Sequence, residues 1–131
     1  MPVEIRIAAF GALLLFIHIL LAVHLKTRQY GAKWNMGARD ETQQPLGPLA
    51  GRLARAQANL LETFPIAIVA LLGVVVAHKT SASTALGGWI WLGARIVYIP
   101  LYAAGIPVVR TLCWAVSIVG LAMVIWPLLF G

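Results

Sequence analysis

Long apolar stretches alternate with short polar ones along the whole chain, and within each stretch the apolar residues run on without alternating. Continuous runs select helices, because a barrel strand would change face at every residue. About 20 helical residues cross a hydrocarbon layer roughly 30 Å thick. Four segments are long enough: about residues 5–25, 48–77, 85–104 and 107–130. The pattern predicts an all-α, integral membrane four-helix bundle, a single transmembrane domain over residues 1–131 with a polar loop at 26–47. The first segment differs from a cleavable signal peptide. Its apolar core is too long, Glu4 precedes it, and no small-x-small site follows Val23.

Gly47 and Pro48 read as the cap and first turn of the second helix. That helix is longer than the bilayer requires, so its first turns, with Arg52 and Arg55, should project from it. Pro65 lies inside this helix and Pro100 inside the third, where each frees a carbonyl and favours a bend. Gly87, Gly88 and Gly93 permit close helix contact on the third.

Polar side chains break the apolar pattern at few places. Arg55, Asn59 and Glu62 fall within about 60° of one another on the second helix. Arg95, Tyr98 and Tyr102 share one face of the third, and Arg110 and Thr111 open the fourth. Polar groups at membrane depth are costly, so such a stripe faces a neighbouring helix, a cavity or a ligand. Glu62 and Arg95 each lie about 15 Å from the same membrane boundary and are placed to pair. That pair alone could serve only to staple two helices. The group as a whole has three arginines, Arg55, Arg95 and Arg110, against the one acid Glu62, an excess suited to an anionic ligand. Asn59 adds an amide able to read a peptide group. Tyr98 and Tyr102 fit either the lining of a site or an interfacial aromatic belt. The Thr111 hydroxyl fits either a ligand or its own helix start.

Charge and composition sharpen this picture. Of 131 residues, 61% are hydrophobic and only 11% charged, too apolar for so small a soluble fold. The net charge of +6 is concentrated in and just after the first loop, at Lys26, Arg28, Lys33, Arg39, Arg52 and Arg55, opposed only by Asp40 and Glu41. Such asymmetry indicates membrane topology and no nucleic-acid partner. It puts loop 26–47 in the cytoplasm and both termini on the opposite side of what is expected to be an inner (plasma) membrane. Cys113 is the one cysteine, which excludes an intrachain disulfide and argues against dithiol redox chemistry. His18, His24 and His78 are scattered and the acids few, so no metal site is expected.

The stretches Arg52-Leu-Ala-Arg55-Ala-Gln-Ala-Asn59-Leu-Leu-Glu62 and Arg95-Ile-Val-Tyr98-Ile-Pro-Leu-Tyr102, continuing to Arg110, resemble the membrane-associated proteins in eicosanoid and glutathione metabolism, the MAPEG family. Chain length, four spans and the long first loop are similar too. The resemblance implies a homotrimer that binds glutathione between subunits near the cytoplasmic side, and transfer of glutathione to lipophilic electrophiles or reduction of peroxides. It further implies that Arg55, Asn59, Glu62, Arg95, Tyr98 and Tyr102 contact glutathione, that Arg110 stabilises its thiolate, and that Thr111 stands where some members place a serine acting on the sulfur. Ala58 stands where some members have an arginine, and Tyr98 where some have a histidine.

Two other functions compete. A small multidrug-type transporter also has four short helices, but it wants a carboxylate in mid-first-helix, and this chain has no acid between Glu4 and Asp40. A non-catalytic membrane assembly protein would use the same polar residues only to join helices.

Overall fold

The computed structural model describes every residue from Met1 to Gly131. It contains five helices and no strand: α1 (Val3–Tyr30), α2 (Ala32–Met36), α3 (Pro48–Val76), α4 (Ala82–Ala103) and α5 (Pro107–Phe130). All but the short α2 are long and apolar enough to cross a membrane. The protein is an all-α integral membrane helical bundle.

Both ends of α1 differ from the hydropathy pattern, and α4 begins three residues early, at Ala82. α1 continues beyond Leu25 as far as Tyr30, and Ala32–Met36 form a further turn of helix, so the irregular part of the first connection is only residues 37–47. Lys26, Arg28 and Gln29 end the apolar run without ending the helix, because straight-chain polar residues are good helix formers. At the other end α1 begins before Glu4, which is buried rather than outside the span. Its carboxylate accepts a hydrogen bond from the Thr84 hydroxyl at 2.6 Å. Thr84 and Ser81 form the capping box of α4, so this contact ties the start of α1 to the α3–α4 turn.

α3 is the central element and packs against α1, α4 and α5, whereas the backbones of α1 and α5 do not come close to each other. Its inward stripe, Leu60, Ala67, Ala70, Leu71 and Val74, recurs at helical spacing and meets Ile7, Leu14, Trp91, Leu121 and Val124 in one core. α4 and α5 form the most extensive pair, joined by the turn at Gly105, whose φ of 72° a side chain would resist. Their closest approach is at Gly87 and Gly120. A Cβ on Gly87 would stand 2.6 Å from the Gly120 carbonyl oxygen, so only bare backbone fits. Phe16, Val69, Val116, Val119 and Trp126 remain exposed on the outside. In water so much apolar surface would drive association; in a bilayer it faces lipid. Pro65 and Pro100 both lie within unbroken helices.

Candidate functional site: an arginine-lined cleft above a buried polar cluster

The N-terminal half of α3, the C-terminal half of α4 and the first turn of α5 converge at the end of the bundle that carries the long loop. Between them lies a cleft of about 220 Å³ lined by Arg52, Arg55, Tyr102, Gly105, Pro107 and Arg110. Three of its six lining residues are arginines and none is acidic. α3 delivers Arg52 and Arg55 from its first two turns. Pro107, as first residue of α5, sets the helix that presents Arg110 half a turn to one turn later. The Arg110 guanidinium lies over the Tyr102 ring at 4.7 Å.

Deeper in the bundle is a second group. Arg95 is fully buried (0% exposed) and its Nη1 donates to Asn59 Oδ1 at 2.8 Å. The guanidinium stacks on the Tyr98 ring at 4.5 Å, and Tyr98, itself buried, meets Tyr102 edge to face at 5.4 Å. Two rings in contact therefore lie between two guanidiniums, Arg95–Tyr98–Tyr102–Arg110, in one unbroken column from the interior to the cleft. The one-face spacing of Arg95, Tyr98 and Tyr102 is what makes that column. Arg95 Nε and Nη2 find no partner within the chain. Neither does Nε2 of His18, which is buried on α1.

The expected Glu62–Arg95 pair does not form. Arg95 takes Asn59 in its place, and Glu62 is exposed on the outside of the bundle. The reason is rotational. At about 100° per residue, Asn59 stands some 40° from Arg55 and 60° from Glu62, both in the same sense, so Asn59 is the edge of the stripe nearest α4. Matching depth along two helices did not fix which way each residue points. Thr111 is also exposed and lines neither group; its hydroxyl donates to the Pro107 carbonyl at 3.0 Å, as a helix-start threonine does. The cleft thus gathers Arg55, Tyr102 and Arg110, the buried cluster gathers Asn59, Arg95 and Tyr98, and Glu62 and Thr111 stand outside both.

Arg52 and Gly105 line the cleft although neither was expected as a site residue. Arg52 donates to the Ala103 carbonyl at 3.3 Å and lies across the α4–α5 turn. A Cβ on Gly105 would stand 2.9 Å from the Arg52 guanidinium carbon, so the turn glycine is what lets Arg52 reach the cleft rather than project freely. Cys113 donates its thiol to the Ala94 carbonyl at 3.0 Å, which locks it to α4 in a structural contact. No group of three or more His, Cys, Asp or Glu side chains is placed to hold a metal ion.

The family model of the MAPEG family matches residues 7–130, almost the entire chain. The chain belongs to the MAPEG family. No curated protein and no solved structure matches it significantly. For a MAPEG member, the matched region takes in the cleft, the buried cluster and all four long helices.

Proposed function

We propose that this MAPEG protein binds glutathione in the arginine-lined cleft and transfers it to lipophilic electrophiles, or uses it to reduce lipid-soluble peroxides. The observation that carries this reading is the charge of the cleft: Arg52, Arg55 and Arg110 with no acid among the lining residues. Glutathione carries two carboxylates, an ammonium and a thiol, so it is a net anion and becomes more so as the thiolate. Guanidinium forks suit its carboxylates, and the surplus positive charge lowers the pKa of its thiol by favouring the anion.

In this reading Arg110 holds the thiolate. Tyr102, beneath its guanidinium, fixes where that charge sits. The thiol proton leaves to solvent at the open cleft. The sulfur lone pair then forms a bond to the electrophilic carbon, and the displaced electron pair departs on the leaving group. The bilayer supplies apolar electrophiles laterally. Asn59, Arg95 and Tyr98 act from beneath, through the stacked column, by keeping Tyr102 and Arg110 in place. Thr111 reaches the sulfur only by giving up its bond to the Pro107 carbonyl.

We further place the protein in a homotrimer with the loop in the cytoplasm. Glu62, exposed at membrane depth on the α3 stripe, supports such an assembly, because a lone carboxylate facing lipid is costly and a neighbouring subunit relieves it.

Thermal unfolding of detergent-purified protein tests the binding step. Glutathione at 100 times its dissociation constant should stabilise the protein by about 2.7 kcal/mol. An unchanged midpoint at saturating glutathione would leave the polar residues as helix-to-helix contacts only.

A further inference from the structure

The connection between α1 and α3 forms a second recess, of about 440 Å³, whose lining includes Tyr30, Lys33, Trp34, Arg39, Asp40 and Glu41. The recess is held open by a well-tied frame. The Gln29 amide donates to the Pro45 carbonyl at 2.8 Å and accepts from the Gly47 N–H at 2.8 Å, while the Tyr30 hydroxyl donates to the Gln44 carbonyl at 2.5 Å. Trp34 packs edge-on against Tyr30 at 5.1 Å and lies beneath the Arg39 guanidinium at 4.3 Å. Arg39 Nη2 is bound to Asn35, at 3.0 Å to its backbone oxygen and 3.1 Å to its side chain, which leaves Nη1 and Nε free. The side chains of Lys33, Asp40 and Glu41 are exposed and take no part in the hydrogen bonds of the frame.

Depth and charge narrow what this recess accepts. The apolar run of α1 ends at Leu25, and Tyr30 is five residues farther along the same helix, about 7 Å. The headgroup layer is roughly 5–7.5 Å deep on each side of the hydrocarbon, which puts Tyr30 at its outer edge, and α2 folds back from there, with Asn35 donating to the Thr27 hydroxyl at 3.0 Å, so the recess borders the headgroups. Lys33 and Arg39 balance Asp40 and Glu41, and the lining is electrically neutral although the surrounding surface is cationic. A neutral recess lined by charges of both signs fits a zwitterion. An anionic headgroup would leave both acids uncompensated.

We propose that this recess binds the phosphoethanolamine headgroup of a phospholipid, with the phosphate at Lys33 and Arg39 and the ammonium at Asp40 and Glu41. A primary ammonium brings three N–H donors to the two carboxylates. A quaternary choline brings none and needs an open aromatic face, and the Trp34 face is already covered by Arg39.

The test is thermal unfolding of the full chain in mixed micelles with phosphatidylethanolamine, phosphatidylcholine or phosphatidylglycerol of identical acyl chains. The ethanolamine lipid should raise the midpoint most. The Asp40→Asn/Glu41→Gln variant should lose that preference, and so, in lesser degree, should Glu41→Gln alone. Lys33→Ala should weaken the ethanolamine lipid about tenfold, the loss of one charge-assisted hydrogen bond. Equal stabilisation by the three lipids overturns the proposal, as does an ethanolamine preference that survives the double variant. Water-soluble phosphoethanolamine at the same concentration should give no shift; an equal shift would assign the recess a soluble ligand and overturn the lipid assignment.

Discussion

Arg95 shows most clearly what a single residue does here. Burying a guanidinium is tolerable only with partners, and inside the bundle it has one hydrogen bond, to Asn59, and one ring, Tyr98. Asn59→Leu should therefore destabilise the protein by about 2 kcal/mol, above the roughly 0.6 typical of interhelical hydrogen bonds in membranes, because a buried charge is left behind. Thermal unfolding in detergent measures this, and a wild-type midpoint would mean that Arg95 is held by something other than Asn59. That Arg95 and Tyr98 share one helix face, and that Asn59 belongs to a polar stripe on another span, could be seen in the sequence, since polar side chains at membrane depth have few other uses. That Glu62 would not join them could not. Spacing gives relative angle within a helix, but the rotation of α3 against α4 is set by packing of Leu60, Ala67 and Leu71 on the core. Arg52 was obscured for another reason. A cation near a membrane boundary ordinarily reaches water, and only its contact with Gly105 and Ala103 brings it into the cleft.

Among the elements, α4 and α5 are the pair on which the cleft depends, because Tyr102 ends one and Arg110 begins the other. Their contact is bare backbone at Gly87 and Gly120, and a side chain there must push the helices apart. Gly120→Leu should cost about 1–3 kcal/mol, as overpacking does. Gly93→Ala meets open space and should be neutral or stabilise by up to about 1 kcal/mol, since alanine is the better helix former. Thermal midpoints of the two variants compare them directly; equal losses would remove the significance given to the glycine contact. Three glycines in α4 were visible in the sequence, yet only neighbouring helices distinguish Gly87 and Gly88, which are buried, from Gly93, which is not. The four long helices were legible because hydropathy is the main signal in a bilayer. The extension of α1 to Tyr30, and α2 beyond it, were not, because polar helix formers carry no such signal.

At the scale of the whole molecule, the bundle is apolar outside, polar in one internal column, and cationic at the end where the column emerges. Charge asymmetry between the two ends follows from sequence alone. The gathering of that charge into one acid-free cleft required the fold. Glu62 remains outside the cleft and the buried cluster, exposed on the surface of the bundle. Glu62→Gln should leave the helix content and subunit fold unchanged while weakening trimer formation or glutathione binding, as read by light scattering and calorimetry in detergent. A variant that assembles and binds like the wild type would remove Glu62 from both. The most direct measurement is the ultraviolet absorbance of glutathione thiolate bound to the purified protein, with Arg110→Ala beside it. Wild type should show the thiolate band at neutral pH and saturating glutathione, and Arg110→Ala should lose it. Absence of the band in wild type, or its persistence at full strength in Arg110→Ala, would contradict a cleft whose arginine charge creates the nucleophile.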